Sequence, residues 1–378
     1  MNERLTPELQ GHVQMLKNRK LLVHDNIYRI KIEPSLGCNR SCEFCGMTRK
    51  EKCLMSMETY SAILEQIPPS VKRLEFILHG EPTLNPHLLD FFKMTKDKYP
   101  ALQIAVSTNG WRFLNNKYDP DYLFSMFEAG ANVVQITLYD EQSHQSFIKL
   151  YDECVHDDVD RFKENDIKIK DLYNSHDNLF KFKGSGKKEI IYIREYQGQN
   201  AGGSMQRRFH TFGGNIPVEI WSKYSDKYPD LSSFPLTGKG KSCTNLLKFI
   251  SIGATGNLYM CCRDAAHSVT LGNIHDVDIN DFWVSERIQK FRYGLKATRR
   301  DLFASCFLCS RFQYRDPLYP YWGPEYSKEE IIDEIVATTH LKDDVLLDNL
   351  IQYRNLYGDR MPEHILKEIS EAEKRSAV

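Results

Sequence analysis

Three cysteines fall close together in Gly37-Cys38-Asn39-Arg40-Ser41-Cys42-Glu43-Phe44-Cys45, spaced C-x-x-x-C-x-x-C. A structural zinc takes four closed ligands, so three thiols are one short. A cubic 4Fe–4S cluster has four irons, and three thiolates leave one iron open to a non-protein ligand. A zinc knuckle, or cysteines without a metal, is the plainer alternative.

A second group, Cys243, Cys261, Cys306 and Cys309, has seventeen, forty-four and two residues between its members. Four thiols could close a structural zinc or fully ligate a second iron–sulfur cluster, and composition does not separate the two. Cys262 adjoins Cys261 and is an alternative ligand. If the pair is on a strand, its side chains point to opposite faces, and Cys262 is then a candidate hydrogen-atom donor. Cys53 and Cys154 are read as unligated.

The elements that must position these groups follow from periodicity. An alternating apolar stretch (Tyr28, Ile30, Ile32) ends at Pro34 and Gly37, which puts the first triplet on a loop after a strand. Further strands are expected over 73–78, 102–106, 131–138, 167–173 and 190–196, with helices between them, as in parallel βα units. A possible hairpin arm covers 180–183. The strand ends carry His79-Gly80-Glu81-Pro82, Ser107-Thr108-Asn109-Gly110, Thr137 and Asn200-Ala201-Gly202-Gly203, where such folds collect their chemistry. Each also has a plain reading as turn, cap or strand residues. Residues 246–252 and 258–260 read as a hairpin around Gly253–Gly256 that leads into Cys261, and 279–291 reads as one helix. Residues 327–378 are helical and charged, with Ile331, Ile332, Ile335 and Val336 as an apolar packing stripe.

The triplet spacing, with an aromatic Phe44 before the third cysteine, resembles the cluster loop of the radical S-adenosylmethionine (SAM) enzymes. The resemblance implies that Cys38, Cys42 and Cys45 hold a 4Fe–4S cluster whose open iron is chelated by SAM. An electron splits the sulfonium, and the 5′-deoxyadenosyl radical then takes a hydrogen atom from substrate. The segment His79-Gly80-Glu81-Pro82 occupies the place of the family's Gly-Gly-Glu-Pro motif, with His79 replacing the first glycine. Gly80, Glu81, Ser107, Asn109 and Thr137 are the implied SAM contacts, with Phe44 beside the adenine. The second cysteine group, with Leu271-Gly272-Asn273-Ile274 and Asp281-Phe282-Trp283 between its members, resembles the twitch domain, a shortened SPASM domain that binds an auxiliary 4Fe–4S cluster.

The implied fold is α/β: a partial (β/α)6 barrel with a smaller twitch-like domain and a helical tail. The expected divisions are a lead-in over 1–27, core 28–205, linker 206–240, auxiliary-cluster domain 241–315 and tail 316–378. The implied activity is oxidation of a small polar, carbohydrate- or nucleotide-like substrate, as in twitch-bearing dehydrogenases of aminocyclitol biosynthesis. It would use SAM and a reduced flavodoxin- or ferredoxin-type electron donor. A peptide-modifying maturase, a radical epimerase using Cys262, and a zinc-stabilised binding protein without catalysis are the rivals.

Composition sets the remaining bounds. The 378 residues suit one large α/β domain with a smaller one. The formal net charge of −1 gives no basic bias toward nucleic acid. The ten cysteines cluster like metal loops rather than a disulfide framework. The polar N-terminus and the lack of a long apolar run imply a cytoplasmic protein that does not cross a membrane.

Overall fold

The computed structural model describes residues 27, 29–42, 45–46, 52–114, 119–156, 159–171, 188–194, 215–224, 230, 232, 243, 249–296, 299–309, 325–341, 345–358 and 361–376. All but the last residue of the expected lead-in, the arm at 180–183, Phe44 and the Asn200–Gly203 segment lie outside them.

Among the described residues, nine strands form one mixed sheet. They are β1 (Arg29–Ile32), β2 (Arg73–Phe76), β3 (Gln103–Thr108), β4 (Val133–Leu138), β5 (Ile167–Asp171), β6 (Lys188–Arg194), β7 (Phe249–Ile252), β8 (Asn257–Tyr259) and β9 (Thr270–Asn273). Their spatial order is β9-β8-β7-β1-β2-β3-β4-β6-β5. The strands β1 to β6 pair in parallel, as the alternation of strands and helices requires. The last two exchange places relative to chain order. Their sequences explain it: β6 carries contiguous Ile190 and Ile191, both buried between neighbours. In β5, Ile167 is buried while Lys168 is exposed, a pattern suited to an edge.

The hairpin expected before Cys261 forms, with β7 and β8 antiparallel. Its first strand pairs in parallel with β1, from Arg29 opposite Phe249 to Ile32 opposite Ile252. The core sheet therefore continues without interruption into the segment that carries the second cysteine group.

Side-chain alternation gives the sheet two unlike faces. Ile30, Ile32, Leu74, Phe76, Ile104, Val106, Val134, Ile136 and Leu138 are all buried on one face. They join the core formed with helices α1 (Met57–Glu65), α2 (Leu88–Lys98), α3 (Pro120–Glu128) and α4 (Glu141–Cys154). The other face carries Arg29, Lys31, Arg73, Glu75 and Gln135, followed past the strand ends by Glu33 and His79.

The single helix expected over 279–291 is two, Ile279–Val284 and Glu286–Lys296. Ser285 breaks it: its backbone is extended at φ −60° and ψ 152°. Its Oγ donates to the Phe282 carbonyl at 2.8 Å and accepts from Ile288 N–H at 3.4 Å, so it caps the second helix.

Among the described residues the tail forms three helices, Lys328–Thr338, Val345–Tyr357 and Glu363–Ser376. Of the expected stripe, Ile331 and Ile335 are buried while Val336 is 56 % exposed. A second core joins the last two helices to Ile216, Trp221, Phe307 and Leu308. Phe307 meets Tyr353 edge-on at 5.1 Å, so the tail packs against the turn that carries Cys306 and Cys309. Within 206–240, Trp221 is buried and donates Nε1–H to the Ile216 carbonyl at 2.8 Å.

One tail carboxyl makes stability pH-dependent. Burial pushes Glu368 up to about 7 from an ordinary 4.5, while its Oε1 accepts the Leu341 N–H at 3.0 Å. A raised carboxyl favours the folded chain while protonated, so this contribution is whole below about 4.5 and lost as pH rises through about 7. Glu368→Gln keeps the acceptor and removes the charge. It is expected to raise thermal stability at pH 8 by on the order of 1–3 kcal/mol and to flatten the fall between pH 5 and 8 in denaturation scans.

Candidate active site

The first cysteine loop leaves β1 and is held from three sides. Asn109, just past β3, donates Nδ2–H to Cys38 Sγ at 3.5 Å and to Asn39 Oδ1 at 2.9 Å. The Arg40 N–H points at Cys38 Sγ at 3.4 Å, and Cys45 N–H donates to the Cys42 carbonyl at 3.0 Å. The Arg40 guanidinium forms an ion pair with Asp140, at the start of α4, and lies over the Tyr139 ring. Burial pushes the Cys38 and Cys42 thiols up, and the Arg40 hydrogen bonds oppose it. Although burial works against it, the Arg40 bond holds Asp140 below the usual carboxylate range.

Since the Arg40–Asp140 pair is about one-third exposed, its expected effect is modest. Arg40→Ala should release iron from this loop about twofold to fivefold faster under chelator challenge, matching the ~0.4–1 kcal/mol of such pairs. Iron loss timed by the fading of the cluster's visible absorbance measures it.

The loop after β2 docks directly on the cysteine loop. Gly80 approaches so closely that a Cβ there would lie 1.8 Å from the Ser35 carbonyl oxygen and 2.7 Å from that of Gly37. Gly37 has φ +141°, a conformation that favours glycine, and its carbonyl accepts the Glu81 N–H at 2.9 Å. The Glu81 carboxylate turns inward. Its Oε1 accepts from Thr83 N–H at 3.1 Å and from the Thr83 and Thr108 hydroxyls, both at 2.6 Å. Its Oε2 accepts the Asn109 N–H at 2.8 Å. Burial raises this carboxyl, against the pull of those four donors. Glu81 thus ties the β2 loop to the β3 end, and Asn109 passes that tie to Cys38. Ser107 and Thr137 are half-buried on the polar face, with no hydrogen bond to their side chains among the described residues.

Three members of the second cysteine group, Cys243, Cys261 and Cys306, come together. Cys261 interacts electrostatically with Cys243 and Cys306. Cys309 N–H donates to the Cys306 carbonyl at 3.2 Å, and Cys243 N–H to the Leu295 carbonyl at 2.9 Å. Cys261 and Cys262 lie past the end of β8, so strand alternation does not send them to opposite faces: their side chains hydrogen-bond each other, and Lys31 Nζ donates to Cys262 Sγ at 3.4 Å. The Cys261 hydrogen bond, then the charges of Lys31 and Arg263, hold Cys262 well below the usual thiol range. The same hydrogen bond and burial push Cys261 up; a metal bound there would reverse that by taking the thiolate.

Lys31 also stands 3.9 Å from Glu75, which Arg29 meets at 3.1 Å. Burial opposes its ionisation, yet Lys31, Arg29 and Arg73 together hold Glu75 below the usual range. Sequence reasoning did not single out Lys31, Glu75, Asn39, Arg40 or Asp140; the signal for Lys31 and Glu75 is charge on one face of alternating strands, whereas Asn39 and Arg40 lie in the cysteine loop and Asp140 caps a helix. An open cavity of about 490 Å³ lies between α4 and β5–β6, lined by Phe147, Tyr151, Phe162 and Tyr192 among others. It includes none of the cysteines.

Residues 32–195 match the Radical SAM superfamily model and residues 243–310 match that of SPASM, an iron–sulfur cluster-binding domain. Together the two matches span more than half of the chain, which belongs to the radical SAM enzymes and carries a C-terminal SPASM/twitch-like domain. The two domains imply SAM, the 4Fe–4S cluster that binds it, and an auxiliary 4Fe–4S cluster. Among relatives, the S-adenosyl-L-methionine-dependent 2-deoxy-scyllo-inosamine dehydrogenase of Niallia circulans is 24% identical over 288 residues, 74% of this chain and 92% of that protein. A GTP 3′,8-cyclase of Campylobacter jejuni (strain RM1221) is 26% identical over 195 residues, 47% of this chain and 58% of its own. The crystal structure of BtrN in complex with AdoMet and 2-DOIA superposes with a TM-score of 0.52 at 22% identity, covering 75% of this chain and 93% of that one. Among the described residues no helix is long and apolar enough to cross a membrane.

Proposed function

We propose that the chain oxidises a carbinol carbon of a small polyhydroxylated, aminocyclitol-like substrate to a ketone. The observation that carries the reading is the charged sheet face beside both cysteine groups, where Lys31 stands between Glu75 and Cys262. Hydroxyl and amino groups need the donors and acceptors that such a face offers. The dehydrogenase relative named above acts on 2-deoxy-scyllo-inosamine, which supports the same class of substrate.

When bound, the SAM-ligated cluster supplies a 5′-deoxyadenosyl radical for hydrogen-atom abstraction, and the auxiliary cluster supplies an acceptor for the electron left behind. Cys38, Cys42 and Cys45 are assigned to the first cluster, and the N–H groups aimed at Cys38 suit a thiolate on iron. Cys243, Cys261, Cys306 and Cys309 are assigned to the second. Ser107 and Thr137 contact SAM from the strand ends, as does the backbone beside Phe44. Gly80, Glu81 and Asn109 shape that pocket from behind, since their polar groups already hold the loops together. Lys31 and Glu75 orient substrate, and a reduced flavodoxin- or ferredoxin-type protein delivers the starting electron. The location is cytoplasmic.

The test is isotope transfer. Reconstituted protein is incubated anaerobically with SAM, dithionite and ring-deuterated aminocyclitols. The expected result is deuterium in 5′-deoxyadenosine together with a ketone product. Transfer from a peptide, with none from any cyclitol, rejects the reading in favour of a maturase. Deuterium returned from solvent to the same carbon, without ketone, marks an epimerase.

A further inference from the structure

Glu33, His79 and His267 are each buried, and one ligand atom from each lies within 4.8 Å of the others. Glu33 directly follows β1, His79 lies just beyond β2, and His267 comes from the connection between β8 and β9. The trio thus joins the first two core strands to the auxiliary module.

The hydrogen bonds leave a deficit of positive charge at its centre. His79 Nε2 is 3.1 Å from the Cys262 carbonyl oxygen, which can only accept. That nitrogen therefore carries a proton, and in the neutral ring the Nδ1 lone pair points the other way. His79 Nδ1 is 3.0 Å from His267 Nε2 and 3.5 Å from Glu33 Oε1. A single proton shared between the two rings would leave the carboxylate unanswered. Glu33 is 1 % exposed, and among the described residues its Oε1 accepts only a long bond from the His79 N–H at 3.3 Å while its Oε2 has no hydrogen-bond partner. Burying a carboxylate in that state is costly unless a cation answers it.

A metal ion meets each requirement. Metal-bound histidines commonly donate their second N–H to a backbone carbonyl, which fixes tautomer and ring orientation; His79 does so to Cys262. The His267 ring is stacked on Tyr259 at 3.8 Å and 17°. Its backbone is held at φ +53° with its N–H on the Asp264 carbonyl at 3.0 Å. Tetrahedral bonds of ~2.0–2.1 Å place ligand atoms ~3.3 Å apart, close to the 3.0 Å and 3.5 Å that separate His79 Nδ1 from His267 and from Glu33. Two imidazole nitrogens with one carboxylate suit a borderline divalent first-row ion.

We propose that Glu33, His79 and His267 form a third metal site, separate from both cysteine groups, which binds a divalent ion of the zinc or cobalt type and fastens the core strands to the auxiliary module.

The test uses the full chain with both clusters loaded, washed with a mild chelator, then given Co²⁺ and desalted anaerobically. About one cobalt per chain is expected by mass spectrometry, falling at least tenfold in Glu33→Gln and His267→Gln with the iron content unchanged. X-ray absorption at the cobalt edge should show only nitrogen and oxygen neighbours, with imidazole scattering. Loss of cobalt retention in the wild type, equal retention in the variants, or sulfur in the cobalt shell overturns the proposal. Should a variant lose iron, the absorption spectrum of the wild type decides alone.

Discussion

Replacing Cys38, Cys42 and Cys45 together by alanine is expected to abolish 5′-deoxyadenosine release, a loss of at least ~1,000-fold, while the chain keeps about four of roughly eight irons. The retained iron is what makes the result specific. The two groups are built on separate segments: the first is held by Asn109 and Arg40, the second by the Leu295 carbonyl and the turn at Cys306–Cys309. Removing the first set leaves the supports of the second untouched. The reciprocal variant, Cys243→Ala with Cys306→Ala, should still release 5′-deoxyadenosine but should lose ketone formation. Anaerobic iron and sulfide analysis and chromatography of the nucleoside read both. Release of 5′-deoxyadenosine by the triple variant would mean that other thiols hold the SAM-binding cluster.

Local signals carried much of this site. Three thiols in one short loop announce an open iron, and alternation along short strands separates an apolar face from a charged one. Alternation does not separate Cys261 from Cys262, which lie past the end of β8 with their thiols hydrogen-bonded, Cys261 also near Cys243 and Cys306 and Cys262 near Lys31. What stayed hidden depends on long-range pairing. A glutamate in a glycine-containing loop reads as an acceptor for a ligand's ammonium. Nothing local shows that Thr83, Thr108 and the Asn109 backbone also donate to the carboxylate of Glu81. His79 reads as a missing glycine until the chain brings His267 to it. The order of β5 and β6 was written in the lysines of β5, but only once that strand is seen as an edge.

The tightest backbone contact in the site gives the second large effect. Gly80→Ala is expected to lower SAM-dependent 5′-deoxyadenosine formation at least ~100-fold, because a displacement of about 1 Å at a reacting centre has that consequence. The added methyl would lie 1.8 Å from the Ser35 carbonyl oxygen, and the neighbouring Gly37 carbonyl is at 2.7 Å. Both obstacles are backbone, so no rotamer change relieves them, and one loop must retreat from the other. Retreat stretches the Glu81 N–H bond to Gly37 and shifts the start of the cysteine loop. The stability cost of such overpacking is ~1–3 kcal/mol, comparable with the ~2.7 kcal/mol of a 100-fold rate loss, so turnover is read on protein shown to be folded. Gly358→Ala is the control: its Cβ would meet only Arg354 Cγ, at an ordinary 3.6 Å, and activity and melting temperature should both stay near wild type. Gly80→Ala with wild-type turnover would show that the two loops do not meet as described, and the coupling of Glu81 to the cysteine loop would fall with it.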